Sequence, residues 1–235
     1  MVPSQIRRAR SIPAALIGLY RRYLLRRALT RLRRPAGAEI DVLLPDLVNG
    51  WGNTAYVAQH LFLRALWGYA RRTEGPILEC GSGLSTLILG VAAELRGTRV
   101  WTLEHDPHWA ALISNALRDN RISSVQLECR PLRDFGGYHW YDAPTPGMPD
   151  DFALVVCDGP PGETVGGRYG LFPRMRSHLA AHCIVMLDDL VRKAEQNVLL
   201  RWRDETPGAT LLPDLTPDVG LLEIDRRAPS PSDTP

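Results

Sequence analysis

The sequence predicts an α/β protein in which short apolar strands alternate with longer amphipathic helices. Its 235 residues fit one domain with an additional N-terminal segment. Hydrophobic residues make up 45% of the chain and charged residues 23%, which is typical of a globular protein with a core to bury. Because each predicted strand is followed by a helix, we expect a doubly wound parallel sheet with right-handed crossovers and helices on both faces.

Five strands and four helices alternate from residue 76 onward. The strands are predicted at 77–79, 100–103, 125–129, 152–157 and 184–187, and the helices near 84–95, 107–119, 168–181 and 191–204. Two further apolar segments, 209–212 and 220–224, are separated by a loop with Pro and Asp, which indicates a hairpin. Together these segments predict a seven-stranded, mostly parallel sheet with a C-terminal antiparallel hairpin.

The N-terminal arm, residues 1–34, is strongly basic. It contains ten arginines and no acidic residue, so the remaining residues carry a formal charge of −8. Apolar residues recur between the arginines at helical spacing over 11–33, which predicts an amphipathic helix with a basic face. Three interpretations remain open: packing on the body or on a second subunit as a homodimer, peripheral contact with an anionic membrane, and nucleic-acid binding. The acidic body disfavours the last, so we expect no nucleic-acid partner.

Four segments are predicted along the chain. The basic arm (1–34) is followed by an N-terminal helical cap (35–75), which starts with a linker at 35–37 and continues as a helix from the cap residue Asn53. The α/β body spans 76–225. The tail 226–235 contains three prolines and is predicted to be disordered.

The length of the apolar segments and the spacing of the cysteines predict where the protein is located. The longest apolar stretch of the arm, 12–20, ends at Arg21 and Arg22, so it is too short for a membrane span and has the wrong flank for a secretory signal. The four cysteines show no CxxC spacing and fall in or beside predicted strands, which indicates reduced core residues. We therefore expect a cytoplasmic protein, with the arm as its one candidate membrane contact.

A glycine-rich turn follows the first strand and opens a helix. It reads Glu79-Cys80-Gly81-Ser82-Gly83-Leu84-Ser85, and glycines there allow the backbone to approach a ligand. A dinucleotide fingerprint would have a third glycine where Thr86 stands. The second strand ends at Glu104, which is placed to accept both hydroxyls of a ribose.

Glu79, Gly81, Gly83 and Glu104 in this order resemble the class I methyltransferases that use S-adenosylmethionine (SAM). The resemblance implies a Rossmann-like fold, a methionine part held by the first acid and the glycine turn, and a ribose held by Glu104. It also implies that the loop after the third strand contacts adenine. The cofactor-binding residues expected on this basis are Glu79, Gly81, Ser82, Gly83, Ser85, Glu104, His105, Leu132, Asp134 and Asp158.

Acidic residues also follow the fourth and fifth strands. Asp158 ends the fourth strand, and Asp188 and Asp189 end the fifth. Oxygen ligands in such a cluster suit Mg²⁺. The layout resembles the metal-dependent small-molecule O-methyltransferases, which implies that these three residues hold the ion and that Asp158 and Asp188 are catalytic. The double-proline turn 158–162 departs from that pattern and resembles methyltransferase family 24.

The loops after the third and fourth strands supply the candidate substrate contacts. Gly166-Gly167-Arg168-Tyr169 is predicted to form a lid in which Arg168 meets an anionic group of the substrate and Tyr169 lies beside it. The aromatic segment 135–149 is predicted either to cover a substrate or to pack on the body.

The favoured function is transfer of a methyl group from SAM to a hydroxyl of a small molecule, such as a sugar or a secondary metabolite, with divalent-metal assistance. One alternative keeps the cofactor and methylates an amine or carboxylate of a small molecule or peptide without a metal. A second alternative is a nicotinamide-dependent oxidoreductase, and a third is a membrane-associated binding module without activity.

Overall fold

The computed structural model describes residues 13–34, 39–52, 60–213 and 216–226. The helices are α1 (Ala14–Leu32), α2 (Ile40–Trp51), α3 (His60–Ala70), α4 (Leu84–Arg96), α5 (Pro107–Asp119), α6 (Leu171–Met175) and α7 (Lys193–Glu205). The strands are β1 (Ile77–Cys80), β2 (Val100–Glu104), β3 (Val125–Cys129), β4 (Leu132–Asp134), β5 (His139–Tyr141), β6 (Phe152–Cys157), β7 (Leu179–Leu187), β8 (Ala209–Leu211) and β9 (Gly220–Asp225). The predicted linker at 35–37, the helix start at Asn53 and the tail from 227 onward lie outside the described residues.

The main sheet has seven strands in the order β3-β2-β1-β6-β7-β9-β8. The first five run parallel, and β9 runs antiparallel to both β7 and β8. The predicted doubly wound sheet with a C-terminal antiparallel hairpin is therefore confirmed. The strand order reverses between β1 and β6, and ligands of such sheets bind beyond the carboxyl ends of the strands at this switch point.

The two faces of the sheet are buried in two separate apolar clusters. In β6, Leu154 and Val156 face the cluster that also contains residues of α1 to α5. Val155 and Cys157 alternate with them and face a second cluster, which contains residues of α6, α7 and β5. The chain is thus a three-layer arrangement, with the parallel sheet in the middle.

The second half of the basic arm belongs to the core. Leu29 and Leu32 of α1 are fully buried, in the same cluster as Leu43 of α2, Leu63 of α3 and residues of the sheet. A Cβ added to Gly50 of α2 would lie 2.5 Å from the backbone nitrogen of Leu25, so α1 and α2 touch backbone to backbone. The arm predicted at 1–34 is thus no separate unit over its second half, although residues 13–23 stay largely exposed.

The prediction of one continuous helix over 168–181 is wrong. Its span contains the five-residue α6 and a 3₁₀ turn at Arg176–His178, and β7 already begins at Leu179. Leu179 pairs with Phe152 of β6, and His182 pairs with Asp225 of β9. Backbone pairing with strands on both sides therefore overrides the helical spacing of the apolar residues in this segment.

A small hairpin, β4 and β5, lies where the sequence predicted only loops. Trp140 and Tyr141 of β5 are fully buried in the second cluster, so these two side chains of the aromatic segment pack on the body. Three cysteines are buried as predicted, but Cys129 is exposed at the end of β3. No described helix is long and apolar enough to cross a membrane.

Two N-terminal truncations should separate the projecting part of α1 from its buried part. Removing residues 1–20 should leave thermal unfolding, followed by circular dichroism, close to that of the full chain, because no residue of the described clusters is lost. Removing 1–34 deletes Leu29 and Leu32, and each buried leucine is worth about 2–5 kcal/mol even when only truncated to alanine. That variant should not fold, and cooperative melting near the full-length temperature would contradict the shared core.

Candidate active site

The turn after β1 packs directly against the turn after β6. Gly81 has a φ of 85°, a left-handed conformation that favours glycine. A Cβ on Gly81 would lie 2.9 Å from the backbone nitrogen of Gly159, and a Cβ on Gly159 would lie 2.8 Å from the Cα of Gly81. The sequence predicted that Gly81 leaves room for a cofactor. The close approach of two backbones already requires both glycines.

Glu79 lies beneath this turn and is fully buried. The hydroxyl of Thr102 donates a hydrogen bond of 2.9 Å to Oε2 of Glu79, whereas Oε1 has no hydrogen-bond partner among the described residues. Burial raises the pKa of Glu79 to about 7, against the lowering effect of the hydroxyls of Ser85, Thr86 and Thr102. Glu79 and Ser85 thus support the turn from below, and neither lines the cleft described next.

A cleft of about 490 Å³ opens at the carboxyl ends of β1, β2, β6 and β7, within the size range of ligand sites. It is lined by Gly81, Ser82, Glu104, His105, Asp106, Trp109, Tyr141, Asp158, Gly159, Pro161, Gly162, Glu163, Arg168, Asp188, Asp189 and Arg192. The hydroxyl of Tyr141 is buried without a hydrogen-bond partner among the described residues, and burial raises its pKa, so it remains a donor.

Glu104 stands at one end of the cleft and is held by the backbone around it. Its Oε1 accepts hydrogen bonds from the N–H groups of His105, at 2.7 Å, and Asp106, at 2.9 Å. Its Oε2 accepts from the hydroxyl of Ser82, at 2.6 Å, and from the N–H group of Ser82, at 3.2 Å. The carboxylate therefore links the turn after β1 to the end of β2, with a hydroxyl already bound to it.

The three aspartates predicted to converge do so at the other end of the cleft, and an arginine lies among them. The guanidinium of Arg168 is 2% exposed. Its Nη2 donates to Asp158 Oδ1, at 3.2 Å, to the Asp158 carbonyl, at 2.8 Å, and to Asp189 Oδ2, at 2.7 Å. Its Nη1 donates to the Asp188 carbonyl at 2.6 Å. Arg168 is therefore buried within the acidic cluster and does not stand on an exposed lid, while its predicted contact with an anionic group of the substrate stays a prediction.

The carboxyl groups of this cluster have raised pKa values. Burial and the nearby Asp188 raise the pKa of Asp158 to about 8, although Arg168 opposes the shift. Burial raises the pKa of Asp188 to about 6, although a backbone N–H group and Arg168 oppose it. Carboxyls that titrate this close to neutral pH are suited to accept and release protons.

The residues present do not fit the predicted magnesium site. Within the described ranges, no group of three or more His, Cys, Asp or Glu side chains is arranged to hold a metal ion. Two of the three predicted ligands, Asp158 and Asp189, bind Arg168, and Asp189 also binds Arg192 at 2.8 Å. The acidic residues were predicted correctly as a cluster, but the cation that they contact is an arginine.

Four other predicted site residues are not in the cleft lining: Gly83, Leu132, Asp134 and Tyr169. Leu132 and Asp134 belong to the β4–β5 hairpin, and Asp134 accepts a hydrogen bond from the Gly136 N–H group at 2.8 Å. The hydroxyl of Tyr169 donates to Glu205 of α7 at 2.7 Å. These side chains contact neighbouring structure, so their predicted contacts with adenine and substrate have no support in their placement.

Several cleft residues were not predicted as site residues. Asp106 and Trp109 belong to the N-terminal turn of α5, and Trp109 donates from its indole nitrogen to the Ser82 carbonyl at 2.7 Å. Their position directly after β2, at the carboxyl edge of the sheet, could have indicated that they line the cleft. Arg192 carried no signal, because its place depends on the turn after β7. Tyr141 belongs to the aromatic segment 135–149, for which contact with a substrate was one of the two predicted roles.

Solved methyltransferase structures share this fold. A putative caffeoyl-CoA O-methyltransferase from Staphylococcus aureus matches with a TM-score of 0.57 at 16% identity, covering 86% of this chain and 99% of that one. The O-methyltransferase TomG from Streptomyces achromogenes, involved in tomaymycin synthesis and in complex with SAM, matches with a TM-score of 0.55 at 17% identity, covering 86% and 89%. The S-adenosylhomocysteine (SAH)-bound methyltransferase PaMTH1 from Podospora anserina matches with a TM-score of 0.53 at 17% identity, covering 92% and 98%. No protein-family model and no curated protein matches the chain.

The raised pKa of Glu79 predicts a measurable effect on stability. Because its folded-state pKa of about 7 exceeds the usual 4.5, ionisation of Glu79 destabilises the fold as the pH rises through this range. The substitution Glu79→Gln removes that ionisation. The free energy of unfolding in urea should therefore improve, relative to the wild type, on the order of 3 kcal/mol between pH 5 and pH 8, at about 1.4 kcal/mol per pKa unit. The part-exposed Glu128→Gln is the matched control, and a difference independent of pH would contradict the burial argument.

Proposed function

Because this chain has the class I methyltransferase fold, we propose that it transfers a methyl group from SAM to a hydroxyl of a small molecule such as a sugar or a secondary metabolite. The observation that carries the proposal is the cleft at the switch point of the sheet. It combines the acid at the end of β2, Glu104, with titratable carboxyls after β6 and β7. Two of the similar structures are O-methyltransferases by name, and a third holds SAH.

The residues of the cleft fit SAM. Oε2 of Glu104 accepts a hydrogen bond from the hydroxyl of Ser82, and a ribose hydroxyl that replaced this donor would meet the same oxygen. The buried, unpartnered hydroxyl of Tyr141 is a polar group that a bound ligand would satisfy. Asp158, Asp188 and Asp189 complement the positive charge of a sulfonium. When bound, SAM supplies an electrophilic methyl group on sulfur.

The carboxyl groups of Asp158 and Asp188 are the candidates for the general base. In the transfer, the acceptor oxygen forms a bond to the methyl carbon as the carbon–sulfur bond breaks, and the hydroxyl proton passes to a carboxylate. Raised pKa values place Asp158 and Asp188 close to the pH at which such a base works best. The two hydrogen bonds from Arg168 to Asp158 fix its orientation, which is what an in-line displacement mainly requires.

An amine acceptor is the second candidate. Among the described residues that line it, the cleft end with the three aspartates and Glu163 has only Arg168 and Arg192 as compensating cations, so its net charge is negative when the carboxyls are ionised. Such a cleft also attracts an ammonium group, and the base would then remove its proton before transfer. Acceptor panels of hydroxyl and amine compounds, with released SAH measured, distinguish the two candidates.

Two variants should separate cofactor binding from turnover. Asp188→Asn should lower turnover by about 10²–10⁴-fold, the usual contribution of a general base, while SAH affinity changes only a few-fold. Glu104→Gln should weaken SAH binding by at least about tenfold, because a hydrogen bond to a charged group is worth about 1.5–3 kcal/mol.

Turnover is measured as SAH released in the presence of an accepted substrate, and affinity by isothermal titration with SAH. The exposed Asp204→Asn on α7 and Glu128→Gln on β3 are the matched controls. Equal loss of turnover and affinity in Asp188→Asn would contradict its assignment as base, and unchanged SAH affinity in Glu104→Gln would contradict the ribose assignment.

A further inference from the structure

We infer that Arg168 is the built-in cation of the acidic cluster, occupying the position at which a metal-dependent site would hold a divalent ion. This inference rests on the proposed methyl transfer and extends it. It assigns a positioning role to Arg168 and makes the reaction independent of added metal.

Arg168 holds the acidic cluster together through its hydrogen bonds. Its guanidinium binds the two loops that bring the acids together, through Asp158 after β6 and through Asp188 and Asp189 after β7. Four donated hydrogen bonds converge on carbonyl and carboxylate oxygens, and three of them come from the single nitrogen Nη2. A hard divalent ion would recruit the same type of oxygen atoms.

Several buried carboxylates surround the guanidinium of Arg168. Glu195 of α7 is fully buried, and neither of its carboxylate oxygens has a hydrogen-bond partner among the described residues. Asp158, Glu195 and Asp189 all act on the guanidinium, and despite its burial they raise its pKa, so it stays charged. Removal of this one cation would leave several carboxylates facing each other in a partly dry site, which is a strongly unfavourable arrangement.

The backbone of the turn after β7 also favours contact between Asp189 and arginines. Asp189 has a φ of 62°, which is uncommon for a residue other than glycine and is costly unless its surroundings enforce it. Its carboxylate binds both Arg168 and the half-exposed Arg192. The turn after β7 is therefore shaped to present this carboxylate to arginines.

The inference removes one requirement on the acceptor. Metal-assisted transfer favours substrates that offer two neighbouring oxygens to one ion, because chelation aligns the reacting hydroxyl. Both Nη atoms of Arg168 already donate to protein oxygens. With this guanidinium in place of the ion, the acceptor needs no second oxygen. Molecules with a single hydroxyl should therefore be methylated as readily as their vicinal diols.

Binding of Mn²⁺, followed by electron paramagnetic resonance of the free ion, tests the inference without a known acceptor. The wild-type chain should show no saturable binding that depends on Asp158 and Asp188. The variant Arg168→Gln, which frees the carboxylates, should bind Mn²⁺ at least about tenfold more tightly than the wild type. Arg192→Gln is the matched control, since it removes one cation near Asp189 and leaves Arg168 in place, and it should not gain the site.

Saturable Mn²⁺ binding by the wild type that is lost in Asp158→Asn would overturn the inference, as would a folded Arg168→Gln variant that gains no affinity. If Arg168→Gln does not fold, turnover of the wild type in EDTA and in Mg²⁺ decides: equal rates support the inference, and dependence on Mg²⁺ overturns it. Titration with SAH runs in parallel, because its failure would reject the proposed function and leave the Mn²⁺ result standing.

An independent observation, the exposed face of α1, supports a second inference: we propose that this outward face docks on an anionic lipid surface. Leu16, Leu19, Tyr20 and Tyr23 follow helical spacing along one stripe, and each is between 55% and 61% exposed. The opposite stripe, later in the same helix, is the one that is buried in the core. The exposed stripe therefore faces away from the body.

The cations of α1 continue this outward face. Arg26, Arg27 and Arg31 of α1, together with Arg34 just after the helix, line a groove with Tyr23 and Thr30, and the helix contains no acidic residue. A second copy packed in parallel register would bring arginines against arginines, and a nucleic acid would leave the apolar stripe uncovered. An antiparallel pair would leave the arginines without counter-charges. An anionic bilayer fits both the apolar stripe and the arginines, because its acyl chains can bury the leucines and its phosphates can pair with the arginines.

Co-sedimentation of the full chain with vesicles tests this surface. Binding to vesicles of phosphatidylcholine with 30% phosphatidylglycerol, about one anionic lipid in three, should exceed binding to pure phosphatidylcholine and should fall as salt is added. The double variant Leu16→Glu/Leu19→Glu should abolish binding. The exposed leucines of α5 and α7 provide the control, Leu112→Glu/Leu200→Glu, which should bind normally. Equal binding to both vesicles, or a dimer in solution that the first variant dissociates, would overturn the proposal.

Discussion

The contact on which the cleft depends is the buried guanidinium of Arg168. It ties the loop after β6 to the loop after β7 by hydrogen bonds to Asp158, Asp188 and Asp189. A buried charge is tolerated only when it is paired, and removing one partner of such a pair typically costs about 3–5 kcal/mol. The acids therefore cannot leave the cluster without a large penalty. The same contacts that hold the loops after β6 and β7 together also fix the orientation of the proposed base.

The sheet provides the second constraint, because it decides which strand ends meet. The reversal of strand order places β1 beside β6, and the glycines Gly81 and Gly159 let the two turns touch. Glu104, at the end of β2, then holds Ser82 of the β1 turn. Glu104, the proposed cofactor acid, and the titratable acidic cluster consequently lie at opposite ends of one cleft, which is the arrangement that a transfer between two bound molecules requires.

The sequence was sufficient where local pattern and strand order decide the outcome. Asp158, Asp188 and Asp189 could be grouped because carboxyl ends of parallel strands share one edge of the sheet. Arg168 was predicted on an exposed lid, since an arginine after two glycines carries no signal that it folds inward. The start of β7 was missed because its pairing with β9, some forty residues later, is non-local. The burial of Leu29 and Leu32 was hidden by the arginines that surround them.

Titration of the wild-type chain with SAH, once in EDTA and once in excess Mg²⁺, tests the account most directly. It joins the two central statements, that the cleft holds this cofactor and that Arg168 supplies the cation. The account predicts one binding site per chain, with the same affinity in both buffers. Absence of binding, or binding that appears only with Mg²⁺, would contradict it.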